Sequence, residues 1–383
     1  MIDQTKQVLS DLIAFPTVSA DSNLAMIDYL ADRLEQSGAR VDILKDETGN
    51  KANLFATLGP ETDGGIVLSG HSDVVPVSDQ DWSTDPFEIA ERDGRLYGRG
   101  TCDMKGFIAA KLVMAPAFAE QVRTRPLHFA FTYDEETGCF GARHLVEALS
   151  ECGLRPGLAI IGEPTSMRVI EGHKGCCEYT TRFQGLEGHG SKPEQGVNAV
   201  EYAVRYVARL LALRDELIRR APTDSPFDPP WTTLNIGTLH GGSVHNVIAP
   251  KAQVDWEMRP VAPGDADYVK RHLNDYCENV LLPEMRAVFP QAAIETEVIG
   301  EVAALLPSDP NEAVRIVSEL TGANGTDVVS FSTEAGIFQS LGMDAVVCGP
   351  GSIDQAHKAD EYLEIEQLAQ CLKMLERLGS RLI

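Results

Sequence analysis

Apolar positions in the first part of the chain alternate between two spacings. Val8, Leu9, Leu12 and Ile13 recur at helical spacing and stop before Pro16. Leu24, Ile27, Leu30 and Leu34 repeat the pattern and stop at Gly38, where a helix C-cap belongs. Short continuous apolar runs follow at 66–69, 127–133 and 158–161, separated by helical segments over 104–121 and 140–151. This alternation predicts an α/β domain with a mainly parallel sheet covered by helices on both faces. Functional side chains in such sheets gather where strand C-terminal ends meet loops.

Near Gly175 the pattern changes. Residues 178–184 alternate as an exposed strand, a long helix covers 197–220, and a proline-rich stretch at 222–230 leads to strands at 232–239 and 252–258. A helix over 265–281 and a strand at 293–299 complete a β-α-β-β-α-β order, that of a ferredoxin-like α+β unit. The first pattern then resumes, with a helix at 311–320, strands at 328–331 and 345–348, and a final amphipathic helix at 364–380. We therefore expect a domain formed by 1–175 and 300–383 with a smaller domain, 176–299, inserted into it.

Length agrees with two domains, since 383 residues exceed what one ordinary core holds. A net charge of −24 argues against nucleic acid and against an anionic membrane surface, and suits metal cations or cationic substrates. The N-terminal residues lack a signal-peptide pattern, and no apolar stretch is long enough to span a bilayer. The eight cysteines form no CxxC arrangement, so reduced thiols and a cytoplasmic location are expected.

The candidate chemistry sits at strand ends. The 127–133 run ends in Asp134-Glu135-Glu136, three carboxylates whose mutual repulsion and lost hydration are costly without compensating cations. Alone, such a triplet is more often a solvated turn. Other strand ends lead into His71-Ser72-Asp73, Thr101-Cys102-Asp103, Gly162-Glu163-Pro164 and the loop from Gly349 to His357. Singly, His-x-Asp is usually a polar turn, and Asp103 or Glu163 a helix cap or surface charge. Together they supply imidazoles and carboxylates without thiolate, a set suited to zinc or another borderline divalent ion at a hydrolytic site. Two close ions would neutralise the acidic run, activate a water and polarise a carbonyl. Asp73 could orient the His71 ring through its second nitrogen.

These segments, together with Arg99 to Gly106, Gly172-His173-Lys174-Gly175 and Gly241-Gly242-Ser243-Val244-His245-Asn246, resemble the M20 family of metallopeptidases and amidohydrolases over essentially the whole chain. The resemblance implies a dinuclear centre, with zinc the first choice and cobalt the second. His71 and Glu163 would hold one ion, Glu136 and His357 the other, and Asp103 would bridge. It also implies a cis peptide after Asp103. Glu135 is left as general base, taking a proton from the attacking water and returning it to the departing amine. The segment from Gly185 to Ser191 resembles one whose histidine, here His189, crosses a homodimer formed through the inserted lid domain and stabilises the oxyanion. Asn246, Arg259 and Gly351 match substrate-binding positions, with Arg259 suited to clamp a carboxylate.

Within the family, Thr333-Glu334-Ala335 and the loop from Gly349 to Tyr362 resemble acetylornithine deacetylases. That resemblance implies hydrolysis of N2-acetyl-L-ornithine in arginine biosynthesis, with Glu334 recognising the cationic side-chain amine. An aminoacylase, a desuccinylase or a dipeptidase is the alternative, and a metal-free binding or scaffold relative a remote one. Ala359 departs from the pattern, where a proline is common.

Overall fold

The computed structural model describes residues 1–382. The chain divides into two compact units. The first comprises 1–172, 307–329 and 333–382 among the described residues, and the second 173–306 and 330–332.

The first unit is built on an eight-stranded sheet. Its centre is parallel, the strands Leu127–Thr132, Ile66–His71, Leu158–Pro164 and Asp344–Gly349 lying side by side in that order. Their residues are buried on both faces, apart from a half-buried Asp344, which is why they read as apolar runs rather than alternations. Arg40–Lys45 and Ala52–Leu58 add an antiparallel margin that the apolar pattern did not reveal. On one face Ile66, Leu68, Leu127, Phe129 and Phe131 join the main core with the helices Ile2–Ile13, Gly106–Gln121 and Ile365–Gly379. Alternation therefore turns Ser69, His71, His128 and Thr132 to the opposite face. Helices Phe140–Cys152 and Ala335–Ser340 pack together beside the sheet.

The second unit is a four-stranded antiparallel sheet in the order Thr233–Gly241, Lys251–Arg259, Cys176–Gln184, Ala293–Val302. Tyr179, Phe183, Val254, Trp256 and Met258 cover one face with Leu210, Leu213 and Leu217 of the helix Ala199–Arg219 and with Val269 and Leu273 of Asp265–Tyr276. That helix continues past Tyr276 through a wide turn at Cys277–Leu281, then as Leu282–Val288. A two-stranded ribbon pairs Gly188–His189 with Val247–Ile248.

Candidate metal centre

The ends of the parallel strands and the loops after them, with the turn Thr101–Lys105 that opens the helix Gly106–Gln121, bring the five expected ligands together in the first unit. His71 closes its strand and is buried, with its Nε2 2.9 Å from Asp103 Oδ1 and 3.7 Å from Glu163 Oε1. His357 Nε2 lies 3.4 Å from the other Asp103 oxygen, Oδ2, and 3.0 Å from Glu136 Oε2. Asp103 thus turns one oxygen to each imidazole, the arrangement a bridging carboxylate requires. Its peptide bond to Met104 is cis.

Around an ion with bonds of about 2.0–2.2 Å, tetrahedral ligand atoms stand roughly 3.4 Å apart. The contacts above bracket that spacing. Two overlapping groups place one ligand atom from each member within 4.8 Å of the rest: His71, Asp103 and Glu136, and His71, Glu135 and Glu163. The buried Glu163 Oε1 has no hydrogen-bond partner. A buried carboxylate oxygen left without a donor is costly unless a cation faces it. The donor set therefore fits a pair of divalent ions.

The electrostatics agree. Burial pushes the Glu163 carboxyl well above its usual range, and repulsion from Asp103 adds to the rise. Burial likewise raises Glu135 strongly and Glu136 less so. Burial would raise Asp103 too, but hydrogen bonds from His357 and His71 outweigh it and leave it below the ordinary value. Hydrogen bonds to Asp103 and Glu136 raise His357 to about 10. Carboxylates that hold their charge poorly beside imidazoles that hold theirs too well are groups waiting for a shared cation.

Several expected roles change. The His71 ring is oriented by the backbone carbonyl of Asp73, 3.0 Å from Nδ1, while the Asp73 carboxylate stands farther off at 3.6 Å. That carboxylate accepts instead from the backbone N–H groups of Glu135 and Glu136 and from Ser19. Asp73 thus holds the acidic turn as well as the ring. Glu135 places Oε1 3.4 Å from the buried Cys139 thiol.

Glu334 is corrected outright. It is fully buried, accepting from Ser69 Oγ and, at 2.7 Å, from Thr132 Oγ1. Ser69 and Thr132 share the sheet face that carries His71, so Glu334 braces two strand ends from inside and offers no oxygen to a substrate amine. Gly351 is also a packing position. Its N–H donates to Gln367 and its carbonyl accepts from Ser166. With φ +93° and a Cβ position 2.6 Å from Cys102 Sγ, only glycine fits there.

His189 lies exposed on the ribbon of the second unit and Asn246 exposed in the turn just before its second strand, linked by Gly190 N–H donating to the Asn246 carbonyl. His189 Nδ1 is 2.8 Å from Ser191 Oγ. Arg259 is paired with Glu257 at 3.0 Å. The ribbon leaves the sheet at the Lys251 end of the strand that Arg259 terminates, eight residues or about 26 Å away.

The sequence alone points to none of Gln80, Arg99, Glu361 or Lys51, yet in the structure Arg99 pairs with Glu361, Gln80 donates to the His357 carbonyl and Lys51 pairs with Asp134. Arg99 and Glu361 lay within recognised segments, and their burial as a pair was the missing signal. No described helix is long and apolar enough to cross a membrane, and the eight cysteines are free.

Residues 67–381 match the profile of peptidase family M20/M25/M40. The fold is similar to that of an M20 family metallo-carboxypeptidase from Sulfolobus solfataricus (TM-score 0.76, 17% identity, 99% of each chain). It is similar to a tripeptidase from Staphylococcus aureus (TM-score 0.73, 18% identity, 100% of this chain and 98% of that one). A dinuclear metal-binding M20 peptidase from Bacillus subtilis also shares it (TM-score 0.64, 15% identity, 99% and 98%). With the profile spanning most of its length and the strand-end centre in place, the chain belongs to peptidase family M20/M25/M40.

Proposed function

We propose that the protein is a two-ion amidohydrolase acting in the cytoplasm on N-acylated amino acids, with N2-acetyl-L-ornithine as first candidate and L-ornithine and acetate as products. The observation that carries this reading is the cluster in which the buried Asp103 presents one oxygen to His71 and the other to His357. In it, His71 and Glu163 would hold one ion and Glu136 and His357 the other, zinc being the first choice and cobalt the second. Bound there, the ions supply Lewis acidity for the scissile carbonyl and for the attacking water.

The chain's own groups do the rest. Glu135 accepts a proton from the water as its oxygen bonds to the acyl carbon, then donates that proton to the amine nitrogen as the C–N bond breaks. Arg259, exchanging Glu257 for substrate, clamps the α-carboxylate. His189 and Asn246 assist the oxyanion. Since Arg259 and the ribbon stand about 26 Å apart along one strand, a small amide meeting both would draw on two copies of the chain, which supports a homodimer.

Burial of Glu334 removes the contact expected for the ornithine amine, and this favours a second reading, a dipeptidase or broader aminoacylase. Initial rates on acetylornithine, acetylcitrulline, acetylmethionine, succinyl-diaminopimelate and a dipeptide, with metal content measured alongside, separate the two. Acetylornithine preferred at least tenfold supports the first. A dipeptide turned over faster than every N-acyl amino acid defeats it.

A further inference from the structure

The two histidines of the centre are anchored very differently. The His71 side chain is 1% exposed and sits at the end of a central strand. The His357 side chain is 51% exposed, on a loop with φ +61°, outside any regular element. An exposed loop imidazole is a poor ligand unless something fixes its backbone.

A relay of polar groups, buried at Glu361 and Arg99 and half-exposed at Gln80, reaches that backbone from the other ligand loop. Glu361 Oε1 accepts from the N–H of Asp103 at 3.1 Å and from that of Cys102 at 2.9 Å. Its second oxygen accepts from Arg99 at 2.7 Å, and both side chains of the pair are 1% exposed. Arg99 then donates to Gln80 Oε1 at 2.6 Å, and Gln80 Nε2 donates to the carbonyl of His357 at 3.0 Å. Trp82 keeps Gln80 oriented by donating to the same Oε1 at 3.2 Å, and lies under the Arg99 guanidinium. The relay runs from the backbone of Asp103 to that of His357, whose side chains meet at 3.4 Å on the other side.

We propose that Gln80, Arg99 and Glu361 are positioning residues that hold His357 in register with Asp103, so that the relay sets the affinity of the ion shared by Glu136 and His357 and leaves the His71 ion nearly untouched. A buried charged pair within a hydrogen-bonded chain fixes the groups on either side of it. Groups orienting a metal ligand typically change affinity by about 10–100-fold. The inference rests on the two-ion reading above.

The test is a stepwise titration of chelator-treated protein with Co2+, following visible absorption and heat. Gln80→Glu keeps an acceptor for Arg99 and Trp82 but places an oxygen against the His357 carbonyl, breaking only the last link. Its weaker step should lose about 10–100-fold in affinity, with the tighter step within about threefold and the metal-free melting temperature unchanged. Gln80→Ala, which removes the same link without adding charge, should show the same selectivity. Two unchanged steps, or equal weakening of both, overturn the relay while leaving the two-ion reading intact. A native protein that takes up fewer than two ions overturns both.

Discussion

Removing divalent ions should destabilise the first unit and spare the second. At the centre, Asp103, Glu135, Glu136 and Glu163 lie buried or nearly so among two imidazoles, and two divalent ions would balance their four negative charges. An ion present at 100 times its dissociation constant stabilises the folded state by about 2.7 kcal/mol, so two contribute about 5 kcal/mol. A domain of roughly 150–250 residues shifts by about 2–4 °C per kcal/mol, giving an expected rise of about 10–20 °C. The second unit has its own core and contains none of the six side chains. Calorimetry before and after chelation, and after adding back Zn2+ or Co2+, should therefore show one transition that moves and one that stays. Melting curves that stay within about 2 °C in saturating Zn2+, Co2+ and Mn2+ would refute the cation site itself.

Three further outcomes are expected. Glu135→Gln should keep both ions and lose about 10²–10⁴ in kcat, as removal of a general base does; near-normal turnover in a fully loaded variant assigns the proton to another group. Glu334→Ala strands the Ser69 and Thr132 hydroxyls and should cost about 2–3 kcal/mol in urea unfolding while leaving the substrate ranking unchanged; a changed preference between acetylornithine and acetylmethionine with stability intact reverses that assignment. Burial holds His128 down to about 4, with Nδ1 on Thr57 and the ring stacked on Phe55. The unfolded chain takes up this proton near pH 6.5 and the folded one only near pH 4. Its contribution is thus complete above pH 6.5 and lost as pH falls toward 4, by about 3 kcal/mol. Urea unfolding of native protein and His128→Gln across pH 4–7 isolates this slope, and parallel curves would contradict it.

The strand ends were legible because a strand buried on both faces must be apolar, so Leu127–Thr132 and Leu158–Pro164 announce themselves and their carboxylates stand out. Ala52–Leu58 escaped notice because Asn53 and Thr57 interrupt it. Their side-chain partners are distant in sequence, the Gly141 carbonyl for the Asn53 amide N–H and His128 for Thr57. Glu334 misled for the same reason. An acid at a turn reads identically whether it faces solvent or the underside of a sheet, and its partners lie 265 and 202 residues away in sequence. Glu361, separated from Asp103 by 258 residues, was invisible as a support on those grounds.

The acidic run after the Leu127–Thr132 strand shows how one local sequence is divided by long-range contacts. Asp134 adopts φ +52° and turns away from its neighbours to Lys51, whose ammonium lies 2.5 and 2.6 Å from its two oxygens. Lys51 also donates to the carbonyl of Ser19, whose hydroxyl binds Asp73. Asp73 in turn accepts the N–H groups of Glu135 and Glu136. One cation and one carboxylate thus fix the turn from outside and beneath, leaving two adjacent glutamates with their backbones held and their side chains unneutralised by any lysine or arginine within 4 Å among the described residues. Glu136 meets His357, while the Glu135 carboxylate meets the Cys139 thiol at 3.4 Å. The proposed division of these neighbours into a ligand and a base thus draws on a turn whose backbone Asp73 and Lys51 hold in place.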